Sequence, residues 1–396
     1  MTTVGGAATH AGRALVCAPR MPEFDHEGGS RRVWHLIGLL QEAGWAVSFV
    51  AQDGTGGERY AALLRGRGVA VYAGPESRWA GDEYLADPNR LIAAGRFDLA
   101  LLHVWNIAED YLPRFRVLSP DTRVVVDSID LHFLRHARDI FLRGGADDPQ
   151  ARLDGPYADQ LTREINTYAA ADAVLTVSQK EADLINDLTA DATLAWTVPD
   201  YEDLPPSAVP FAARRGMLFL GNFRHPPNVD AVRYLCDDIL PQLDPALLAA
   251  HPVSIVGNAL GEVPGVSGGS PGGVRAVGWV PSVVPYLHHA RLTVVPLRTG
   301  AGTKRKLLQS LMAGTPAIST TIGVEGLGLR DDEEVLVADD PAAFAGAIAR
   351  LLHDERRWAA LATRGREAVV VAHGRETVRR RFLEVLAAVL ARPQRQ

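Results

Sequence analysis

The sequence predicts an α/β protein built from two doubly wound parallel-sheet domains. Short apolar runs alternate with longer amphipathic stretches from end to end, the pattern of strand–helix units. The alternation breaks near the middle at a stretch holding Pro205, Pro206 and Pro210, then restarts. The length of 396 residues suits two domains of ordinary size.

The elements follow in chain order. Residues 1–12 are small and polar and lack the apolar centre of a signal peptide, so they read as a disordered tail. The N-terminal domain is expected over 13–200. Its strand candidates are Ala14–Ala18, Ala46–Ala51, Val69–Ala73, Leu99–Val104, Val124–Val126 and Ala173–Val177. These runs lack alternation, as strands covered on both faces do. Arg31–Ala43 carries Val33, Leu36, Ile37 and Leu40 at helical spacing and stops at Gly44. A linker is expected over 201–215.

The C-terminal domain is expected over 216–374, with strands at Met217–Leu220, Val253–Val256, Val274–Val277, Leu292–Pro296, Ala317–Thr320 and Val335–Ala338. Gly265–Gly273 reads as a surface loop. Residues 375–396 form a terminal helix, with Val378, Phe382, Val385 and Leu386 on one side, expected to pack back toward the N-terminal domain. Two such domains facing each other leave a cleft. Open α/β sheets bind ligands beyond the carboxyl ends of their strands, so chemistry is expected in those loops.

Composition narrows the class. A net charge of −6 offers no basic excess for nucleic acid. Cys17 and Cys236 each lie in an apolar run and read as buried reduced thiols, which fits the cytoplasm. No apolar run is long enough to span a membrane. The N-terminal half shows no obvious basic amphipathic helix, which weakens a membrane-surface acceptor without closing off peripheral membrane contact.

Four loops carry candidate chemistry. The first is Val294–Gly314, VVPLRTGAGTKRKLLQSLMAG. A strand ends, Gly300-Ala301-Gly302 turns, and a helix is expected near Thr303 with Lys304 and Lys306 in its first turn. Glycines let a ligand approach the backbone, and helix N-termini present free N–H groups. Cations there carry a local cost that a bound anion offsets; a diphosphate fits. A plain strand–turn–helix with a solvated basic turn is the bland alternative. The second loop is Gly221–Asn228, GNFRHPPN, where Arg224 and His225 can reach phosphate or sugar and Asn228 is expected to cap a helix starting at Val229. Simple solvent exposure is the bland alternative here.

The third is Asp25–Arg32, DHEGGSRR, whose Gly28 and Gly29 precede Ser30, an expected helix cap. It is not G-x-G-x-x-G, and no G-x-x-x-x-G-K-[ST] occurs. The fourth is Asp127–Arg135, DSIDLHFLR, which gathers Asp127, Asp130, His132 and Arg135. A carboxylate or imidazole there can take an acceptor proton; an ion-paired helix start is the competing reading. His103, Trp105 and Asn106 end another strand and are expected to line an acceptor pocket. No H-E-x-x-H, Cys cluster or D-x-D marks a metal site.

These stretches resemble a known family. PLRTGAGTKRKLLQSLMAGTPAISTTIGVEGL is similar to the donor-site signature of family 4 retaining glycosyltransferases of GT-B fold, which pair two Rossmann-like domains. GNFRHPPNVDAV, VADDPAAFAGAIARLLHDERRW, DHEGGSRRVWHLIGLLQEAGWAVSFVAQ and VVVDSIDLHFLRHAR are similar to segments of one subgroup, so the resemblance spans roughly residues 14 to 390.

The resemblance implies metal-independent, cofactor-free transfer of a sugar from a nucleotide diphosphate sugar to a saccharide or small-molecule acceptor, with retention. Arg224, Lys304 and Lys306 would hold the diphosphate, Gly300, Ala301 and Gly302 would bring amides to it, and Gly278, Trp279 and Val280 would meet the base. Asp127, Asp130 and His132 would face the reacting centre beside Arg224 and Lys304. Gly28, Gly29, Gly221, Asn222, His225, Gly257, Arg298, Thr303 and Gln309 complete the expected donor set. One departure stands out. Many members carry two glutamates eight positions apart where this chain has Ala301 and Gln309. That leaves open an inactive partner protein of the same fold; a nucleotide-sugar epimerase with the same two-domain fold is a second alternative.

Overall fold

The computed structural model describes residues 11–74, 87–144, 155–263 and 273–394. Residues 1–10 of the tail expected over 1–12 and most of the Gly265–Gly273 loop lie outside these; Gly12, expected in that tail, opens the first strand. The chain divides into two compact units. One is built from described residues within Met1–Ile129, Asp159–Val198 and Arg379–Gln396, the other from those within Asp130–Ala158 and Pro199–Val378. The segment from Asp130, expected with the first domain, groups with the second unit, where Arg138 donates to Glu325 and to the Gly300 carbonyl.

The first unit is a seven-stranded sheet: β1 Gly12–Arg20, β2 Trp45–Asp53, β3 Ala70–Ala73, β4 Leu99–His103, β5 Arg123–Asp127, β6 Ala173–Thr176 and β7 Ala195–Thr197. Their order is β3-β2-β1-β4-β5-β6-β7, and every pair is parallel. Strands β4 and β6 are buried along their whole length, which explains apolar runs without alternation. The first helix covers Gly28–Glu42 and buries Val33, Leu36, Ile37 and Leu40 on its inner face. It stops at Gly44, whose φ of 81° is the left-handed conformation that glycine adopts without cost. β7, three residues with a half-exposed Trp196 and Thr197, is absent from the sequence reading.

The second unit is a six-stranded sheet: β8 Met217–Leu220, β9 Val253–Val256, β10 Val274–Gly278, β11 Leu292–Val295, β12 Ala317–Ser319 and β13 Leu336–Val337. The order is β10-β9-β8-β11-β12-β13, again all parallel. Its main core gathers Phe219, Leu235, Val294, Leu308, Phe344 and Leu351 among many others.

In each sheet the strand order reverses once. The reversal falls between β1 and β4 in the first unit and between β8 and β11 in the second. Crossovers leave opposite faces on either side of such a point, so the loops there diverge and open a crevice. The glycine-rich loops picked out in the sequence follow β1, β8 and β11.

The terminal helix covers Arg375–Leu390, with Val378, Phe382, Val385 and Leu386 buried. From its last turn onward it is tied to the first unit: Arg392 donates to the Thr193 carbonyl, and the Arg392 carbonyl accepts from Arg123. Cys17 is buried and free; Cys236 is also free but only partly buried, because the Leu235–Ile239 turn leaves one side open. No described helix is long and apolar enough to cross a membrane.

Candidate functional site

In the first unit, three strand ends converge on one carboxylate. The β4–β5 register sets His103 directly opposite Asp127. Asp127 Oδ2 lies 2.8 Å from His103 Nδ1, and Oδ1 accepts from Arg32 Nε at 2.8 Å. Arg32 comes from the helix after β1 and also donates to the Val198 carbonyl at 2.9 Å. All three side chains are buried, Asp127 completely. Burial alone would raise the carboxyl pKa, but the Arg32 charge and the His103 bond overcome it and hold Asp127 below the usual carboxylate range.

Asp127 thus has both carboxylate oxygens engaged by protein groups and no exposed surface of its own. Gly29 leaves space above the ring: a Cβ there would sit 3.5 Å from His103 Nε2. Gly28 is the first residue of its helix and is exposed. The expected cap Ser30 lies inside the first turn, because the backbone turns helical at Gly28 with Glu27 as N-cap; Ser30 Oγ donates to the Glu27 carboxylate. Trp105 is buried under the Arg163 guanidinium, 5.4 Å from its ring, and Asn106 is exposed.

From Asp130 onward, DSIDLHFLR belongs to the second unit and forms the ion-paired helix start. Asp130 meets His132 Nε2 at 3.1 Å and accepts from Arg135. Burial pushes the Asp130 carboxyl up, but the His132 bond and the Arg135 charge hold it well below the ordinary carboxylate value. His225 stands in the field of this group. Crowding around its ring, then the charges of Arg135 and Lys306, lowers its pKa and keeps the imidazole neutral.

The loop expected to hold the donor follows β11. Gly300 has φ 124° and Gly302 φ 67°, conformations that ordinary side chains resist. Thr303 leads out of the turn, its hydroxyl 3.4 Å from Asp200. The helix then runs over Arg305–Met312, with Lys304 rather than Thr303 at its start. Lys304 provides no side-chain cap. Its Nζ instead folds back onto the Gly302 and Ala301 carbonyls, at 2.5 and 3.2 Å.

Lys306 donates to Asn228 and sits 4.7 Å from the Phe219 ring. Desolvation, followed by repulsion from Lys304, lowers its pKa to about 7. Asn228 is not the expected cap. The helix begins at Pro226 with His225 as N-cap, and Asn228 Nδ2 donates to the Asn222 carbonyl at 2.7 Å. Lys306, Asn228 and Asn222 thus join the loops after β8 and β11, the two strands flanking the reversal.

Two features behind the loop escaped the sequence reading. Arg305 is clamped by two carboxylates, Asp200 at the end of the expected N-terminal domain at 3.0 Å and Glu202 of the expected linker at 2.6 Å. Gln309 Nε2 donates to the same Glu202 oxygen at 3.1 Å, so its amide faces this clamp. Arg138 donates to both Glu325 oxygens, at 2.6 and 2.7 Å. The arginine runs around residues 135 and 305 were visible; their partners lie too far along the chain to be inferred.

Other expected residues scatter. Gly221 and Gly257 are close-packed backbone: a Cβ on Gly257 would fall 1.6 Å from the Gly221 carbonyl oxygen. Gly257 N–H donates to the Gly278 carbonyl, which closes the end of β10. Trp279 is 45% exposed, and Val280 packs on a small cluster around Leu218 and Leu287. Arg298 is held by Asp230 at 2.5 and 3.1 Å and lies over Tyr234, so it is committed to structure. Arg224 is 63% exposed, with only a 3.9 Å approach to exposed Glu262.

Comparison with known proteins fits this architecture. Residues 27–200 match the glycosyl transferase 4-like domain, and residues 214–354 match glycosyl transferases group 1. The lipopolysaccharide core biosynthesis glycosyltransferase LpsE of Rhizobium meliloti (strain 1021) is 31% identical over 122 residues, 30% of this chain. That match spans only 36% of the relative's length.

HepE of Anabaena, solved in complex with UDP and glucose, superposes with a TM-score of 0.69 at 13% identity, over 95% of this chain and 100% of that one. Sucrose-phosphate synthase of Thermosynechococcus elongatus gives 0.69 at 17% identity, over 96% of this chain and 99% of that one. These likenesses identify the fold as GT-B. The chain belongs to the glycosyltransferases of this fold, with a glycosyl transferase 4-like domain in its first half and a group 1 domain in its second.

Proposed function

We propose that the protein is a retaining glycosyltransferase that moves a sugar from a nucleotide diphosphate sugar to a hydroxyl acceptor, a cell-surface glycan or a small natural product. The observation that carries this reading is the loop after β11. Two glycines at positive φ, a helix start without an acidic residue in its first turn, and two lysines at one strand end make a cradle for a diphosphate. HepE, of the same fold, holds UDP and glucose. LpsE, a partial relative, acts in lipopolysaccharide core synthesis, which makes a saccharide acceptor the first to try.

Lys304 and Lys306 would neutralise the departing diphosphate, with exposed Arg224 closing over it. Stabilising charge as it develops is the largest single contribution such a site can make, and no metal is needed for it. Gly300, Ala301 and Gly302 would supply backbone amides, and Gly278 to Val280 would meet the base. With retention, the bond from the anomeric carbon to the diphosphate oxygen breaks while the acceptor oxygen bonds to the same face. The acceptor proton passes to the departing oxygen. In the first unit, His103 would hold a sugar or acceptor hydroxyl, backed by Asp127.

The test is nucleotide release from UDP-, GDP-, dTDP- and ADP-linked sugars, with product anomers read by NMR. Release from one donor, abolished in Lys304→Ala, is expected. Absence of release from all of them, with saccharide acceptors supplied, would overturn the reading.

A further inference from the structure

The second unit carries an unneutralised cationic cluster at the end of its sheet remote from the donor loop. β8 starts at Met217, and the residues just before it are Arg214 and Arg215. The Arg214 carbonyl accepts from two different guanidiniums: Arg291 Nε and Nη2 at 3.2 and 3.0 Å, and Arg215 Nη1 at 2.8 Å. The Arg214 guanidinium turns inward, to Thr315 Oγ1 at 2.8 Å and the Val209 carbonyl at 3.0 Å. Arg214 and Arg291 are buried.

Three guanidiniums thus crowd together, and among the described residues none of them forms an ion pair with a carboxylate. Burial and mutual repulsion lower the pKa of Arg214 to about 10. Burial, then Arg291 and Arg215, lowers that of His251 as well. Glu355 acts on Arg291 only at longer range. Leaving charge of one sign uncompensated inside a protein is costly, and a bound anion offsets it.

A cavity opens beside this cluster, with a volume of about 230 Å³, between the Val284–His289 helix and the amino ends of β8 and β9. Its floor is apolar, from buried Met217, Leu218 and Ala290, with exposed Pro285 at the edge. Its rim is polar, from Arg215, Ser254, Tyr286 and His289. Arg215 is exposed and spends only Nη1 on carbonyls, so Nε and Nη2 remain for a ligand. His289 Nδ1–H donates to the Pro285 carbonyl at 2.8 Å, which fixes the ring at the edge of the cavity. Among the described residues, nothing bonds the Ser254 and Tyr286 hydroxyls.

We propose that this slot binds a small organic anion, a phosphate or carboxylate group carried on a compact apolar body. The anionic group would lie against Arg215, whose Nε and Nη2 form charge-assisted bonds to it, and the body would cover Leu218 and Pro285. The volume is below that of a drug-sized site, which limits the body to about one ring. The slot and the donor loop sit at opposite ends of β8, so the two ligands would be held at once.

Calorimetric titration of the full chain with phenyl phosphate, inorganic phosphate and benzyl alcohol tests this. Phenyl phosphate is expected to bind, inorganic phosphate more weakly, and benzyl alcohol not at all. Arg215→Ala is expected to weaken phenyl phosphate about tenfold at an unchanged melting temperature, while Lys304→Ala leaves it unchanged. No binding of phenyl phosphate would overturn the proposal. So would equal affinity for inorganic phosphate, or binding lost in Lys304→Ala but kept in Arg215→Ala.

Discussion

His103 Nδ1 lies 2.8 Å from Asp127 Oδ2, and the contact is sealed from solvent. A carboxylate can only accept, so the imidazole carries its proton on Nδ1 and leaves Nε2 as an acceptor toward the Gly29 loop. Arg32 already balances the Asp127 charge. The trio is a fixed support, with His103 Nε2 on the side of Gly29.

Removing Asp127 should therefore unfold before it uncouples. Asp127→Ala leaves Arg32 buried without its counter-ion, a change that costs about 3–5 kcal/mol. Urea denaturation followed by tryptophan fluorescence measures it. Because the folded carboxyl pKa is depressed, the pair contributes fully above the unfolded value of about 3.9, and its contribution fades as pH falls below that. The variant should thus lose the steep acid-side decline of the parent. A stability within about 1 kcal/mol of the parent would rule out the buried pair.

Lys306 makes a prediction about pH. Its folded pKa is about 7, well below the ordinary lysine value. An anion binds the protonated form, so diphosphate affinity should fall as pH rises through about 7 and beyond, until the pKa of the bound form is reached. Lys306→Arg carries a charge that stays on throughout this range and should flatten the slope. Calorimetry from mildly acidic to mildly alkaline pH reads both proteins. An identical slope in the two would remove Lys306 from the site.

Gly257 tests whether the glycines near the loop serve packing. It has φ 148°, and a Cβ there would overlap the Gly221 carbonyl. Gly257→Ala should cost roughly 3 kcal/mol or more, from strain and overpacking together. A thermal melt decides it; a melting temperature unchanged from the parent would contradict the geometry.

The clamp on Arg305 yields a graded prediction. Glu202→Gln removes one of two carboxylates and keeps the shape, so Asp200 still pairs with the guanidinium. The expected loss is about 1–2 kcal/mol, that of a charge-assisted hydrogen bond. Glu202→Ala also strips the Gln309 amide of its partner and should cost more. Equal melting temperatures for the two variants would refute the Gln309 contact.

Much of the architecture was legible because of how parallel sheets bury themselves. Strands covered on both faces read as continuous apolar runs, and Met217–Leu220 and Val253–Val256 were bounded to the residue. β7 was missed because three half-exposed residues make no run. Helix starts were misplaced at Ser30, Asn228 and Thr303, because a cap is fixed by where the backbone dihedrals turn helical and not by residue type alone.

The glycine loops were legible from composition, since positive φ favours glycine. The partners of the charged groups were not. Arg32 and Asp127, Arg138 and Glu325, and Arg305 and Glu202 are joined only by register and crossover. Glu202 in particular lay in a stretch that looked like mere linker.

The most direct measurement is calorimetric titration of the protein with UDP, GDP, dTDP and ADP, repeated on Lys304→Ala. The account predicts that one nucleoside diphosphate binds and that the variant binds it at least about tenfold more weakly, a loss of about 1.4 kcal/mol. Binding of none of the four, or equal binding by Lys304→Ala, would contradict a donor site in the loop after β11.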